Sequence, residues 1–166
     1  MITLDLKSLV NKLNNTTRNA LEGAAGICLS RGHYNVEVEH WWVKLLEVDD
    51  TDAQAILEKF ELSPDTLSRA FNRELDQLKN GSTRPPALSP NVVELAKQAW
   101  VLASVEYAHS QVTSAHLLAA LLLDDSLRRS AVASCPALES LAPESVRELV
   151  KALVGTTAES QELPPE

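Results

Sequence analysis

The sequence predicts an all-α domain that is a pseudo-symmetric duplication of a four-helix motif, with copies at about 14–79 and 89–153. Each copy opens with an Ala-rich helix and later has a strongly apolar helix entered through a histidine, His40 in the first and His116 in the second. The chain has only five glycines and no stretch of alternating β-branched residues, which argues against a sheet. A period of about seventy-five residues is too long for a solenoid repeat and indicates a duplicated half-domain.

Helical periodicity and cap chemistry predict the elements of the first copy. A short amphipathic helix at 4–12 lies ahead of the duplicated pattern. We expect Asn15 or Thr16 to cap the first helix of the copy, because such side chains accept hydrogen bonds from first-turn N–H groups. Thr51 and Ser63 are expected to cap two later helices for the same reason. The predicted helices of the first copy are at about 16–31, 39–47, 52–60 and 64–78.

A segment rich in Gly and Pro at 80–88 separates the two copies. Ser89 and Thr113 are the expected caps of the first and second helices that follow it. The predicted helices of the second copy are at about 90–109, 114–123, 125–133 and 143–153. We expect the domain to span 1–155 and the polar, acidic residues 156–166 to form a flexible tail leading to a missing region.

Composition argues against several classes of partner. The 166-residue chain has a formal net charge of −8 and no cluster of Lys and Arg, which argues against binding to nucleic acid. No apolar run approaches the roughly 18 residues that a membrane span needs, and the N-terminus lacks the pattern of a signal peptide. We therefore expect a soluble, cytoplasmic protein. Cys28 and Cys135 have no CxxC spacing, which argues against zinc. Cys28 is expected to be a small buried hydrophobic residue, and a disulfide between the two cysteines is the less favoured alternative.

The four histidines allow two interpretations. His33, His40, His109 and His116 form two pairs with the same spacing, so a small helical metalloenzyme that uses all four is one hypothesis. However, HExxH is absent and no carboxylate or Cys lies at ligand spacing on the same helix face. We therefore expect no metal, with His40 and His116 satisfying backbone groups where their helices begin. The sequence also lacks GxSxG and GxxxxGK[ST], so it predicts neither a catalytic serine nor an ATP-binding P-loop.

The adjacent residues Trp41 and Trp42 are unusual in a chain with so few aromatics. Neighbouring residues on a helix point about 100° apart, so we expect one tryptophan to pack inside and the other to lie nearer the surface. An exposed tryptophan could anchor a partner. An acidic, duplicated, all-helical domain without a catalytic constellation is most economically a module that binds a helix or an extended peptide.

The histidine-entered helices resemble those of the N-terminal domain of Clp-class AAA+ unfoldases. The resemblance is carried by residues 36–46, VEVEHWWVKLL, and by residues 112–122, VTSAHLLAALL. The second stretch keeps the His and Leu positions but has an alanine where the first has a glutamate before the histidine. Within the family, residues 9–14 and 20–28 are most similar to the ClpV branch, the ATPases of bacterial type VI secretion. The extra helix ahead of the first copy supports that branch over a general disaggregase.

The resemblance to the ClpV branch implies a function. In that branch the domain captures a short N-terminal helix of the large sheath subunit, which recruits contracted sheath for disassembly. The resemblance also implies that this chain needs no cofactor, and that ATP and Mg²⁺ bind in a missing ATPase region of a hexameric parent, while the isolated domain is monomeric. The implied peptide-binding groove consists of Leu6, Leu9, Val10 and Leu13, with Thr17, Ala20, Leu21 and Ala24 as the opposing wall.

Other functions remain open at this point. Within the family, the chain could be the N-domain of a general disaggregase or unfoldase that binds unfolded chains or an adaptor. One preferred helix in a peptide panel would favour sheath recognition, broad weak binding would favour the general unfoldase, and stoichiometric bound metal would favour the metalloenzyme. The groove assignment predicts that Leu13→Asp or Ala24→Arg abolishes capture and leaves the helical content intact.

Overall fold

A computed structural model describes residues 6–153 and 157–161, and over these residues the chain has the predicted all-α fold. Two short strands, β1 (Asn35–Val36) and β2 (Ala87–Leu88), accompany the helices. A π-helical segment, Leu102–Glu106, continues α6, and a 3₁₀ segment, Pro136–Ser140, joins α8 to α9. The α-helices are α1 (Leu6–Lys12), α2 (Asn15–Ser30), α3 (Val38–Leu46), α4 (Asp52–Lys59), α5 (Pro64–Asp76), α6 (Pro90–Val101), α7 (Ser114–Leu123), α8 (Asp125–Ser134), α9 (Pro143–Leu153) and α10 (Ala158–Gln161).

The two copies of the motif are α2–α5 and α6–α9, and α1 precedes both. The histidine-entered helices α3 and α7 are the most deeply buried elements, because their sequences are apolar almost all the way round. In α7 every residue from Ser114 to Leu122 is buried. One contiguous hydrophobic core runs through both copies, with α2 and α5 packed on α3, and α6 and α9 packed on α7.

The copies are joined at two equivalent places. At the first junction, β1 pairs in parallel with β2, so the segment before α3 lies beside the segment before α6. At the second junction, Leu13 forms a parallel bridge with Val112, so the segment before α2 lies beside the segment before α7. Each junction thus joins the start of the first helix of one copy to the start of the second helix of the other. This reciprocal exchange is the structural basis of the pseudo-symmetry.

Four of the expected N-caps are confirmed and one is corrected. Thr51, Ser63, Ser89 and Thr113 cap α4, α5, α6 and α7 through their side-chain oxygens. The cap of α2 is Asn14 rather than Asn15 or Thr16: its Oδ1 accepts the Thr17 N–H at 2.9 Å. Asn14 has the extended backbone that a cap requires, whereas Asn15 already lies in the first helical turn.

The structure describes one stretch near the end of the chain. Residues 157–161 pack on the domain, and both Thr157 and Glu159 are buried. Several polar side chains hold Thr157 and Glu159 in place, and the flexible tail over 156–166 stays a prediction. Residues 162–166, like residues 4 and 5 of the expected first helix, lie outside the described part. No helix within that part is both long and apolar enough to cross a bilayer.

Candidate functional site

Helix α1 packs across the molecule on α6, the first helix of the second copy. Leu9 is buried where the helix meets the domain. The Lys12 ammonium lies 4.8 Å from the centroid of the Trp100 ring, which is a cation–π distance. The Val112 N–H donates to the Lys12 carbonyl at 2.7 Å, so the end of α1 is attached to the second junction. These contacts fix α1 against the second copy rather than against α2.

The eight residues of the predicted groove differ sharply in exposure. Leu6 is 44% exposed and Val10 is partly exposed. The other six are each 8% exposed or less: Leu9, Leu13, Thr17, Ala20, Leu21 and Ala24. Side chains buried to this degree cannot be touched by a partner unless an element moves. Leu6 and Val10 are therefore the predicted groove residues that a peptide can reach.

The expected wall on α2 faces the interior of the first copy. Thr17, Ala20, Leu21 and Ala24 lie on the side of α2 that packs on α3. The Trp41 indole N–H donates to the carbonyl of Thr17 at 3.0 Å, which ties the two helices together. In this structure the four residues are buried rather than open, and their contact with a peptide stays a prediction. Their small size allows α3 to approach α2 closely. From the sequence, a bound peptide helix is expected in that position.

Four residues on or beside α1 keep side-chain area open to solvent, and they are named the α1 surface: Leu6, Val10, Lys12 and Trp100. Val10 and Trp100 are partly buried against the core, so part of each side chain is open to solvent. Sequence reasoning missed Trp100, because the contact between α1 and α6 joins residues far apart in the chain and periodicity gives no signal for it. The surface combines apolar side chains with one cation over an aromatic ring, in a domain of net negative charge.

The four histidines form two hydrogen-bonded pairs. His33 Nδ1 and His40 Nε2 are 2.9 Å apart, and His109 Nδ1 and His116 Nε2 are 3.0 Å apart. The Nδ1 atoms of His40 and His116 accept the backbone N–H of the preceding cap residue, at 2.8 Å and 2.9 Å. Each Nδ1 that accepts leaves the proton on Nε2, so His40 and His116 donate to their partners. The expected structural role at the helix starts is confirmed.

This geometry requires neutral imidazoles. Burial lowers the pKa of His40 to about 4, with His33 and Arg31 as further causes. Burial lowers the pKa of His116 to about 3, and His109 adds to the effect. Within residues 6–153 and 157–161, no three His, Cys, Asp or Glu side chains come together as metal ligands.

The tryptophan pair is buried completely, at 0% exposure for Trp41 and 1% for Trp42. The expectation that one of them lies near the surface is wrong. Helix α3 is covered by α2 on one side and by α5 on another, so residues 100° apart both face protein. Neither tryptophan can anchor a partner from the surface.

A separate cavity of about 190 Å³ lies between α3, α5, α7 and α8. Its lining includes the apolar residues Phe71, Leu75 and Leu121 as well as Glu37 and Glu39. Burial raises the pKa of Glu37, and Glu39 accepts a hydrogen bond from Ser134 at 2.8 Å. Several of its groups thus already have partners within the domain. The cavity is formed by other helices than α1.

Comparison with known proteins gives a consistent result. The model of the Clp repeat (R) N-terminal domain matches residues 12–125. The AAA+ ATPase ClpV1 of Pseudomonas aeruginosa is 31% identical over 153 residues, which is 92% of this chain and 17% of the relative. The chaperone protein ClpB of Yersinia enterocolitica is 33% identical over 135 residues, which is 81% of this chain and 15% of the relative. The chain therefore spans less than a fifth of the length of these relatives.

A solved structure of a ClpV N-domain in complex with a VipB peptide matches the fold. Its TM-score is 0.82 at 28% identity, with coverage of 96% of this chain and 97% of the other. The family model begins at residue 12, the last residue of α1, so α1 precedes the matched domain pattern. The match to the peptide-bound structure extends over nearly the whole of this chain.

Proposed function

The chain belongs to the family of Clp repeat N-terminal domains, and from this premise we propose that it binds a helical peptide of a type VI secretion sheath protein. The observation that carries the proposal is the likeness to a ClpV N-domain that holds a VipB peptide. The likeness to ClpV1 over 92% of the chain supports the same branch of the family. The domain acts by recognition, and no bond in the peptide is made or broken.

We propose that the peptide contacts the α1 surface. Leu6 and Val10 offer exposed apolar area to one face of an amphipathic helix, which is the helix-in-groove mode of peptide recognition. Trp100 adds a partly open aromatic side chain, a residue type that is enriched among binding hot spots. Leu9 and Leu13 contribute indirectly, because they hold α1 and its end in place.

We also propose the setting in which this recognition takes place. The chain would be the substrate-binding part of a longer cytoplasmic ATPase, since it spans 17% of ClpV1. ATP and Mg²⁺ would bind in other parts of that protein, whose ring would be a hexamer. The domain would deliver sheath subunits to the ring and would not hydrolyse ATP itself.

The second candidate is the N-domain of a general disaggregase. The likeness to ClpB, 33% identity over 81% of the chain, favours it. A disaggregase domain binds many apolar segments with similar weak affinity, whereas a sheath-recognition domain prefers one helix. A panel of apolar peptides that includes the VipB peptide separates the two, because only the sheath-recognition domain ranks the VipB peptide well above the others.

The experiment that tests the proposal is a fluorescence anisotropy titration of labelled VipB peptide with the chain and two variants. Leu6→Asp places a charge on the α1 surface, and full burial of a leucine is worth about 1.5–3 kcal/mol. We therefore expect about tenfold weaker binding or more, at 1.4 kcal/mol for each factor of ten. Leu29→Asp is the matched control, because Leu29 is 63% exposed at the far end of α2.

The two variants must differ for the proposal to hold. We expect Leu29→Asp to bind as the unaltered chain does, and both variants to keep the helical circular dichroism signal. Equal affinity of Leu6→Asp and the unaltered chain would place the peptide elsewhere. Absence of any binding by the unaltered chain would contradict the proposed function as tested with this peptide.

A further inference from the structure

We propose that Glu159 is a positioning residue: it latches α10 across the second junction and thereby fixes α1. The consequence for peptide binding rests on the function proposed above. Glu159 is 2% exposed, although it comes from the stretch that the sequence marks as a polar tail. The latch itself stands on contacts that involve no peptide.

The Glu159 carboxylate accepts four hydrogen bonds from three different elements. Oε2 accepts from the Ser114 N–H at 2.7 Å and from Asn14 Nδ2 at 3.0 Å. Oε1 accepts from the Asp52 N–H at 2.9 Å and from the Ser114 hydroxyl at 2.5 Å. All four partners donate, so the ionised carboxylate fits the site without a proton of its own.

The partners occupy positions that need an acceptor. Asp52 and Ser114 are the first residues of α4 and α7, where backbone N–H groups have no partner within the helix. Asn14 is the N-cap of α2, and its Oδ1 is already used by Thr17. Glu159 therefore joins the N-termini of three helices, whose dipoles favour a negative charge. Burial, together with the nearby Asp52 carboxylate, raises the pKa of Glu159, and the hydrogen bonds from Ser114 and Asn14 oppose that shift.

Neighbouring residues reinforce the latch. The Asp50 carboxylate accepts the Ala158 N–H at 2.9 Å, which caps the start of α10. The Thr157 hydroxyl donates to the carboxylate of Asp52, which is buried. Asp50, just before α4, and Asp52, its first residue, thus both bind the segment that begins at Thr157.

The first junction shows why this carboxylate is needed at the second. At the first junction the cap of α3 is Glu37, whose carboxylate bonds to Ser89, the cap of α6. The equivalent cap at the second junction is Thr113, whose side chain carries a hydroxyl and no carboxylate for Asn14. Glu159 does for the second junction what Glu37 does for the first, but it comes from a separate segment.

The latch is next to the attachment of α1. Asn14 and Ser114 flank the bridge between Leu13 and Val112. The Asn14 N–H donates to the Val112 carbonyl at 2.9 Å, and the Val112 N–H donates to the Lys12 carbonyl at 2.7 Å. Release of Glu159 therefore loosens the bonds that hold the last turn of α1, and with it the α1 surface.

Hydrogen exchange of the whole chain tests the latch. Glu159→Gln keeps the size of the side chain but replaces one acceptor with an NH₂ group that faces donors. Loss of charge-assisted bonds of this kind leads us to expect exchange about tenfold faster or more at the Ser114 and Asp52 amides. The same variant should speed exchange at the Asn14 and Val112 amides. Glu139→Gln is the control, because Glu139 is exposed.

Exchange at core amides of α7, such as that of Ala119, shows whether a change is local, and these amides should stay unaltered. Unchanged exchange at Ser114 and Asp52 would overturn the latch. Faster exchange there with unchanged exchange at Asn14 and Val112 would overturn its coupling to α1. Should Glu159→Gln also raise exchange at the core amides, Thr157→Val is the second variant, because it removes the hydroxyl that donates to the Asp52 carboxylate. Faster exchange at the Asp52 amide in this variant supports the latch, and unchanged exchange there overturns it.

A titration with labelled VipB peptide then tests the consequence for binding. We expect Glu159→Gln to weaken binding about threefold to tenfold, which corresponds to α1 in its binding-competent position in about a third to a tenth of the molecules. Full affinity despite faster exchange at Asn14 and Val112 would overturn the positioning of the α1 surface. If the unaltered chain binds no VipB peptide, the proposed function fails, while the exchange data still decide the latch.

Discussion

At the scale of single residues, the two histidine pairs make the domain sensitive to acid. His40 and His116 accept a backbone N–H at Nδ1, and protonation of that atom would break the cap of a buried helix. Their pKa values, about 4 and about 3, lie below the ordinary value of 6.5. The unfolded chain therefore takes up protons more readily than the folded one. The contribution of the two histidines to the free energy of unfolding is fully present above about pH 6.5. It is lost as the pH falls toward 4 for His40 and toward 3 for His116.

This predicts the pH dependence of unfolding. Between pH 6.5 and 5, each of the two histidines should lower the free energy of unfolding by up to about 1.4 kcal/mol per pH unit. Urea unfolding at pH 7, 6 and 5 measures the slope. The double variant His40→Gln and His116→Gln lacks both imidazoles, and we expect its stability to change less over this range. A variant with the same slope as the unaltered chain would show that other groups cause the acid sensitivity.

At the scale of elements, α1 is a separately attached unit. Leu9 is buried where α1 meets the domain, whereas Leu13, one turn further, belongs to the contiguous core and to the second junction. The same kind of substitution should therefore have different consequences in these two places. Release of α1 leaves both four-helix copies intact, whereas disruption at Leu13 loosens the second junction between them.

We predict that Leu9→Ala frees α1 locally and that Leu13→Asp destabilises the whole domain. The expectation that Leu13→Asp leaves the helical content intact is revised, because Leu13 is 1% exposed. Truncation of a buried leucine costs about 2–5 kcal/mol. Because α1 can detach while the rest of the domain stays folded, Leu9→Ala lowers the global free energy of unfolding by less than this. Thermal unfolding and hydrogen exchange measure the two effects. We expect Leu9→Ala to speed exchange in α1 and to lower Tm only slightly. We expect Leu13→Asp to lower Tm by a large amount. Equal Tm losses for both would show that α1 is part of the cooperative core.

Local chemistry explains which elements the sequence could predict. Ser63-Pro64 and Ser89-Pro90 carry a cap and a first-turn proline side by side, so α5 and α6 begin where expected. The Leu-rich stretch after His116 also predicted a buried α7, because a run of apolar residues can be recognised within a few positions of the sequence. Contacts between the copies have no such signal. The α2 wall illustrates this, because small residues at helical spacing fit a guest helix and α3 equally well.

At the scale of the whole molecule, the duplication is the feature that the sequence predicted best and the junctions are what it missed. The repeat of the histidine-entered helix was visible as sequence identity. The bridge between Leu13 and Val112, the position of Trp100 beside Lys12 and the docking of Glu159 all depend on how the copies cross. Consequently the α1 surface retains Leu6 and Val10 from the predicted groove and gains a residue from the other copy.

The function proposed for the chain depends on binding of the helical peptide to the α1 surface. Mapping of amide chemical shifts in ¹⁵N-labelled chain during titration with VipB peptide tests it most directly. We expect the largest changes in the amides of residues 6–12 and in the indole N–H of Trp100, with little change near the cavity between α3, α5, α7 and α8. Changes centred on Phe71 and Leu121 in that cavity, with α1 unaffected, would contradict the claim.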